Sequence, residues 1–204
     1  MINGKTPNRS ENMSIGSELK RKSIHLAMIV IPVWYYFAPS PLGVLGLIIA
    51  MTLTVILDLL RLSDDRIRKF FLRLFGSLIR SHEEEHLLGS THFMIASMIS
   101  VLVFDKMIAI SALTFLVVGD TAAAVVGKRF GKKLYWGKSP AGSFACLACC
   151  LLIGYLLLSN GWVILAGAIT AAVVEALPVP MDDNMRVPIV SGLIMQLVSK
   201  FSQG

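Results

Sequence analysis

Charge is scarce in this chain. Of its 204 residues, 16% are Asp, Glu, Lys or Arg, against about 25% in a typical soluble domain. Hydrophobic residues make up 55%, and the mean hydropathy is +0.70. A water-soluble fold of this size cannot hide so much apolar surface, so lipid is the expected solvent. Cysteine is nearly absent, and the three present, Cys146, Cys149 and Cys150, sit together in one apolar run. That grouping excludes a disulfide framework and a spaced metal box, and leaves small helix-packing residues. No cleavable signal pattern precedes the first apolar run. No internal repeat and no second domain are visible. The expectation is a disordered tail over residues 1–16, followed by a single transmembrane domain over 17–204. The net charge of +6 does not point to nucleic acid, because the basic residues lie beside apolar runs. Lipid head groups are the partner such placement suits.

A membrane-spanning helix needs about 20 mostly apolar residues, with a range of roughly 17–25. The segments that qualify are Ile24–Ala38, Pro41–Leu60, Leu87–Phe104, Met107–Val126, Ser143–Ser159, Trp162–Pro180 and Val187–Phe201. The first and last are short, so the expected fold is an all-α, polytopic integral membrane bundle of six to seven transmembrane helices. Turn chemistry separates the segments at Pro39-Ser40-Pro41, Asp105-Lys106, Ser159-Asn160-Gly161 and Pro178-Val179-Pro180. Of the 19 basic residues, all but Lys106 and Lys200 fall on one side of this arrangement. The positive-inside rule makes that side, with the N-terminus, cytoplasmic. Between Arg61 and Arg80, Ile67, Phe70, Phe71, Leu74, Phe75 and Leu78 recur at helical spacing opposite Arg66, Arg68, Lys69 and Arg73. This stretch reads as an amphipathic helix, either lying in the membrane interface or packed on the bundle.

Asp58, Asp120 and Glu175 lie inside apolar runs. A carboxylate at mid-bilayer costs about 2.5–3.5 kcal/mol on insertion scales, so such acids face a polar interior. All three fall toward the cytoplasmic ends of their segments, and Asp182 and Asp183 follow Glu175 closely. Asp58, near a helix end, fits a packing or snorkelling role as well as a functional one. The richest stretch runs from Gly119 to Gly131, where Asp120, Ala124 and Gly127 share one helical face. Beyond it lie Lys128 and a basic loop ending Gly137-Lys138-Ser139-Pro140-Ala141-Gly142-Ser143. Lysines, glycines and a helix beginning at Ser143 suit phosphate binding through ammonium charge and backbone amides. An acid beside phosphates calls for bridging Mg²⁺, for which Asp120 with Asp182 or Asp183 are the candidates. Glu18, Arg21, Lys22 and His25 form one stripe entering the first span.

Two short matches are discounted. His82-Glu83-Glu84-Glu85-His86 fits the helix-borne zinc pattern H-E-x-x-H, but no third ligand is identifiable. Gly131 and Gly137 before Lys138-Ser139 are one residue too far apart for a P-loop, and no strand precedes them.

In four blocks the chain resembles the CTP-dependent lipid-alcohol kinases, a family that includes dolichol kinase, phytol kinase and CTP-dependent diacylglycerol kinase. They are Glu18 to His25, Glu84 to Thr91, Gly119 to Ser143, and Glu175 to Asn184 with Val187-Pro188. The family's E-x-x-R-K-x-x-H pattern is met by Glu18, Arg21, Lys22 and His25. Its G-D-x-x-A-x-x-x-G pattern is met by Gly119, Asp120, Ala123 and Gly127. Two positions depart from it: Leu87-Leu88-Gly89-Ser90-Thr91 stands for the usual L-T-G-A-T, and Pro140-Ala141 stands where an acid often precedes the glycine. The resemblance implies a catalytic domain that transfers phosphate from CTP, with Mg²⁺, to the hydroxyl of a membrane lipid alcohol. CTP phosphates would be held by Lys138, Ser139 and Lys128, with Gly127 and Gly137 giving close approach and Arg21-Lys22 assisting. Asp120 would hold the metal, and Glu175 or His25 would take the hydroxyl proton. CTP:phosphatidate cytidylyltransferases are similar over Asp120–Gly142 and give an alternative enzyme reading. A transporter or scaffold is a non-enzymatic one.

The charge distribution makes a direct prediction. With the three native cysteines replaced, single cysteines beside Lys132 and Arg73 should react with an impermeant reagent from the cytoplasmic side, and one at Asn160 only from the other. Labelling at Lys132 and Asn160 from the same side would overturn the span assignment.

Overall fold

Proline, capping side chains and acids at chain breaks delimit the helices. The computed structural model describes residues 22–76, 79, 81–132 and 137–202, and among them every regular element is helical. Helix α1 (Lys22–Phe37) contains Pro32. Proline has no N–H to continue the ladder, and the turn tightens around it: Ile31 N donates to Met28 O and Ile29 N to Leu26 O, both at 3.0 Å. Helix α2 (Ser40–Ser63) starts with Pro41 in its first turn and stops at Asp64. The Asp64 side chain then caps α3 (Asp65–Phe75) by accepting from Arg66 N and Ile67 N. A 3₁₀ turn, Ser81–Glu84, leads into α4 (Gly89–Val103). Helix α5 (Lys106–Phe130) carries a π segment at Phe115–Gly119, directly before Asp120. Helices α6 (Pro140–Leu157), α7 (Gly161–Ala176) and α8 (Asp183–Phe201) are N-capped by the side chains of Ser139, Asn160 and Asp182.

Helix α5 is the axis of the bundle. Ala109, Ala112, Leu113, Phe115, Leu116 and Val117 are fully enclosed, and 61% of its apolar window is buried, against 17% for α2 and 22% for α6. Helices α1, α6 and α8 pack around it, α7 bridges α6 and α8, and α4 lies between α2 and α8. Leu45, Ile49, Leu53 and Ile56 of α2 and Phe144, Leu152, Tyr155 and Leu156 of α6 face outward. Such broad outward apolar faces are foreign to soluble monomers. Three helices, α2, α5 and α6, are long and apolar enough to cross a membrane, and α1, α4 and α7 are shorter apolar helices.

The amphipathic segment is narrower than the stretch from Arg61 to Arg80. Among the described residues its amphipathic helix is α3, none of whose residues is buried, and Leu78 lies outside the described residues. The helix expected to begin at Ser143 begins at Pro140, because Ser139 supplies the cap and proline suits the first helical position. Cys146 and Cys150 are buried packing residues. Their sulfurs would lie 2.9 and 3.0 Å from a Cβ at Gly119, so glycine there lets α5 and α6 close together.

Arg61 is a correction to the charge reading, in which it was one of the loop cations. Its side chain is 1% exposed, and it forms a buried pair with Asp58 at 2.6 Å. The guanidinium also donates to the carbonyls of Glu83 (3.0 Å), Glu84 (3.2 Å) and His86 (2.6 Å). Asp58 meanwhile accepts from Leu88 N and the Thr91 hydroxyl at 2.8 and 2.7 Å. Together they fasten residues 83–91 to the end of α2. Breaking a buried pair by removing one partner typically costs about 3–5 kcal/mol. Arg61→Ala and Asp58→Ala should each lower thermal stability in detergent by that order. The double variant should cost less than the sum of the two, since each single change leaves a buried charge unpaired and the double change leaves none.

Candidate active site

Asp120 and Glu175, the acids inside α5 and α7, converge at one end of the bundle, each beside a cation from elsewhere in the chain. Lys22 Nζ of α1 lies 2.5 Å from Asp120 Oδ2 of α5, and His25 Nε2, one turn further along α1, is 3.3 Å from the same oxygen. Lys138, in the loop before α6, lies 2.5 Å from Glu175 Oε1 of α7 and 3.2 Å from Asp183 Oδ2 of α8. Asp183 also pairs with Arg186. Burial alone would lower the Lys138 pKa, but Asp183, Glu175 and Asp120 outweigh it and hold the pKa above its ordinary value. Lys138 is therefore a fixed cation throughout the physiological range.

Two cavities meet at these groups and share Lys22, Asp120 and Asp183. One, of about 260 Å³, is polar. Lys128, Lys138 and Glu175 reach it from the basic side, and Ala124, Gly127 and Gly137 form small-residue walls. The other, of about 240 Å³, is bounded by His25, Ile24 and Met28 of α1, Phe71 and Phe75 of α3, and Leu88. It is an apolar chamber with ionisable groups at its inner end.

Local structure explains several positions. The π segment ends at Gly119 and so sets the rotation at which Asp120 leaves it. Such single-turn bulges are common at functional sites. Gly127 and Gly142 allow α5 to approach the start of α6: a Cβ on Gly127 would fall 2.6 Å from Ser139 Oγ, and one on Gly142 2.6 Å from Ala123 O. Gly137 adopts φ +84°, which suits glycine.

Most of the site residues expected from sequence come together. His25, Lys22, Asp120, Glu175, Gly127, Lys128, Gly137, Lys138, Ser139 and Asp183 all line one or both cavities. Arg21 and Glu18 lie outside the described residues. Ser139 is buried, and its hydroxyl oxygen accepts from Gly142 N at 3.1 Å, so its first role is to cap α6. Asp182 separates from Asp183: it caps α8 by accepting from Asn184 N at 2.9 Å and lines neither shared cavity. The H-E-x-x-H segment is a 3₁₀ turn, where the Glu83 carboxylate accepts from Gly89 N at 3.2 Å and so anchors the start of α4. Among the described residues no group of three or more His, Cys, Asp or Glu is arranged to hold a metal. Asn184, Ser90 and the aromatic residues of α3 were missed as wall residues. Phe71 and Phe75, four apart on an amphipathic helix, carried a signal for one apolar face but none for a chamber.

No protein-family model matches the chain, and no solved structure matches it. Curated relatives do. An uncharacterized protein of Rickettsia prowazekii is 32% identical, over 84% of this chain and 90% of the relative. The CTP-dependent diacylglycerol kinase 1 of Schizosaccharomyces pombe is 28% identical, over 89% of this chain and 93% of its own length. The probable chloroplastic phytol kinase 1 of Oryza sativa is 31% identical, over 92% of this chain and 67% of that protein. The chain belongs to the CTP-dependent lipid kinase family. The resemblance drawn from the four sequence blocks is thus supported over most of the chain.

The close contact of α5 and α6 is testable. A methyl group at Gly142 meets a backbone carbonyl that cannot swing aside, and overpacking of this kind costs about 1–3 kcal/mol. Gly142→Ala should lower the unfolding temperature in detergent. An unchanged melt would show that the helices have room there.

Proposed function

We propose that the protein is a kinase that transfers the γ-phosphoryl group of CTP to the hydroxyl of a membrane lipid alcohol, of the diacylglycerol, phytol or polyprenol class. The observation that carries this reading is the pair of cavities joined at Asp120, Lys22 and Asp183. The polar cavity suits a polyphosphate and the apolar one a lipid chain. A hydroxyl at the inner end of the lipid chamber then meets the terminal phosphate. The relatives named as kinases favour this reading over a cytidylyltransferase or a transporter.

In the reaction the lipid oxygen bonds to the γ-phosphorus, the bond from that phosphorus to the β–γ bridging oxygen breaks, and CDP leaves. Catalysis of such a transfer is mostly positioning and charge neutralisation. Lys138, Lys22 and Lys128 supply positive charge to the phosphates. His25 lines the lipid chamber, whereas Glu175 lines the polar one and holds Lys138. The two candidates for receiving the hydroxyl proton are thereby separated, with His25 on the side from which the alcohol arrives. Mg²⁺ is commonly held by one or two carboxylates together with substrate phosphates. Asp120 and Asp183, lining one cavity, fit that sparse set better than Asp182 does. Bound there, the ion would neutralise phosphate charge. With the apolar helices of the bundle and the basic residues on one side, the reading extends to six to seven spans with the site facing the cytoplasm.

Purified protein in lipid should convert CTP to CDP only when a lipid alcohol is present, and the lipid product should carry a monophosphate. Pyrophosphate with a cytidine-bearing lipid would indicate the cytidylyltransferase instead. Asp120→Asn keeps the size of the side chain and should abolish turnover while the protein still folds. Loss of one charge-assisted contact of about 1.5–3 kcal/mol means that Lys138→Ala should slow transfer about 10- to 100-fold. Normal turnover in Asp120→Asn would reduce that carboxylate to a structural partner.

A further inference from the structure

The polar cavity of about 260 Å³ is smaller than the roughly 300–1,000 Å³ that ligand pockets usually offer. A nucleoside triphosphate with its phosphates on Lys138 must continue beyond it. A third cavity, of about 500 Å³, begins at Lys138 and Asp183 and extends beneath the Leu177–Met181 turn. Its walls include Pro178 and Pro180, which stiffen that turn, and Leu177, Val179 and Met181, which are large exposed apolar residues. Its polar side is formed by His86, His92, Asp182 and Arg186. An apolar slot with a few polar groups at its edge suits a planar heterocycle.

His92 adds chemical direction. Its Nδ1 lies 3.1 Å from the Leu88 carbonyl oxygen. A carbonyl can only accept, so in the neutral ring the proton sits on Nδ1 and Nε2 is left as an acceptor. An acceptor at the edge of a base pocket matches the exocyclic amine of cytosine, and it repels the carbonyl oxygen that uracil has at the same place. The wall opposite is held in shape by Arg186, which donates to Leu177 O at 3.1 Å.

We propose that the cavity beneath Leu177–Met181 receives the nucleobase of the donor nucleotide, and that His92 Nε2 selects cytosine by accepting from its amine. This rests on the kinase reading above and assigns the specificity of that site. The test compares kcat/KM for CTP and UTP, and KM for the lipid alcohol, in wild type, His92→Ala and Val179→Trp. His92→Ala should lose about tenfold in kcat/KM for CTP, within the range expected for one buried hydrogen bond, while UTP, freed of the repulsion, gains, so the preference shrinks by more than that factor. Val179→Trp, at a solvent-facing wall position, should raise KM for both nucleotides and leave KM for the lipid unchanged. Should His92→Ala be lost in purification, Val179→Trp decides alone. An active wild type whose variants keep the CTP preference and the nucleotide KM would overturn the base subsite and leave the kinase standing. A wild type that forms no lipid phosphate from CTP would overturn the kinase reading and this inference with it.

Discussion

An ionised carboxylate inside an apolar bundle needs a cation beside it, and that requirement organises this molecule. Desolvating a single charge costs several kcal/mol, and only a close partner with further hydrogen bonds repays it. Asp120 finds its partner 98 residues away in sequence, at Lys22, and Glu175 finds Lys138 across 37 residues. Both are therefore tertiary ties. They fix the first helix to the fifth and the loop before the sixth to the seventh. The far end of the bundle is held differently, by Asp105 and Gln196, which exchange two hydrogen bonds of 2.8 Å.

The same cations have a second use. Without a ligand, Lys22 and Lys138 neutralise the acids; in the proposed reaction they would turn to the nucleotide's phosphates. A site of this kind is charge-balanced in both states only if the acids gain another positive partner as the lysines turn to phosphate. A divalent ion arriving with the nucleotide would meet that need and would tie cation and nucleotide binding to each other.

Much of this was legible in the sequence, because acids in apolar runs are costly enough to stand out. Asp120 and Glu175 were identified on that ground alone, and Lys138 by its glycine-rich loop. What escaped detection depended on pairing in space. Arg61 looked like one more loop cation, although its place three residues after Asp58 is the spacing of a helical ion pair. Asp182 and Asp183 are neighbours in sequence and look interchangeable. Starting a helix between them gives one the cap and leaves the other facing the site. His92 carried no pattern at all, since the cavity it lines is built by a turn some 85 residues later in the chain.

Pro32 has a mechanical consequence. Pro32 cannot donate, and the middle of α1 is carried by shorter bonds such as Ile31 N to Met28 O, which divides the helix into two halves at the place where proline kinks form. The outer half is moored, because Lys106 lies over the Tyr35 ring and donates to the Ala38 carbonyl. The inner half carries Lys22 and His25 and forms one wall of the apolar chamber. Strain introduced along Ile24 and Met28, on the chamber side of that half, is therefore delivered at the contacts of Lys22 and His25 with Asp120.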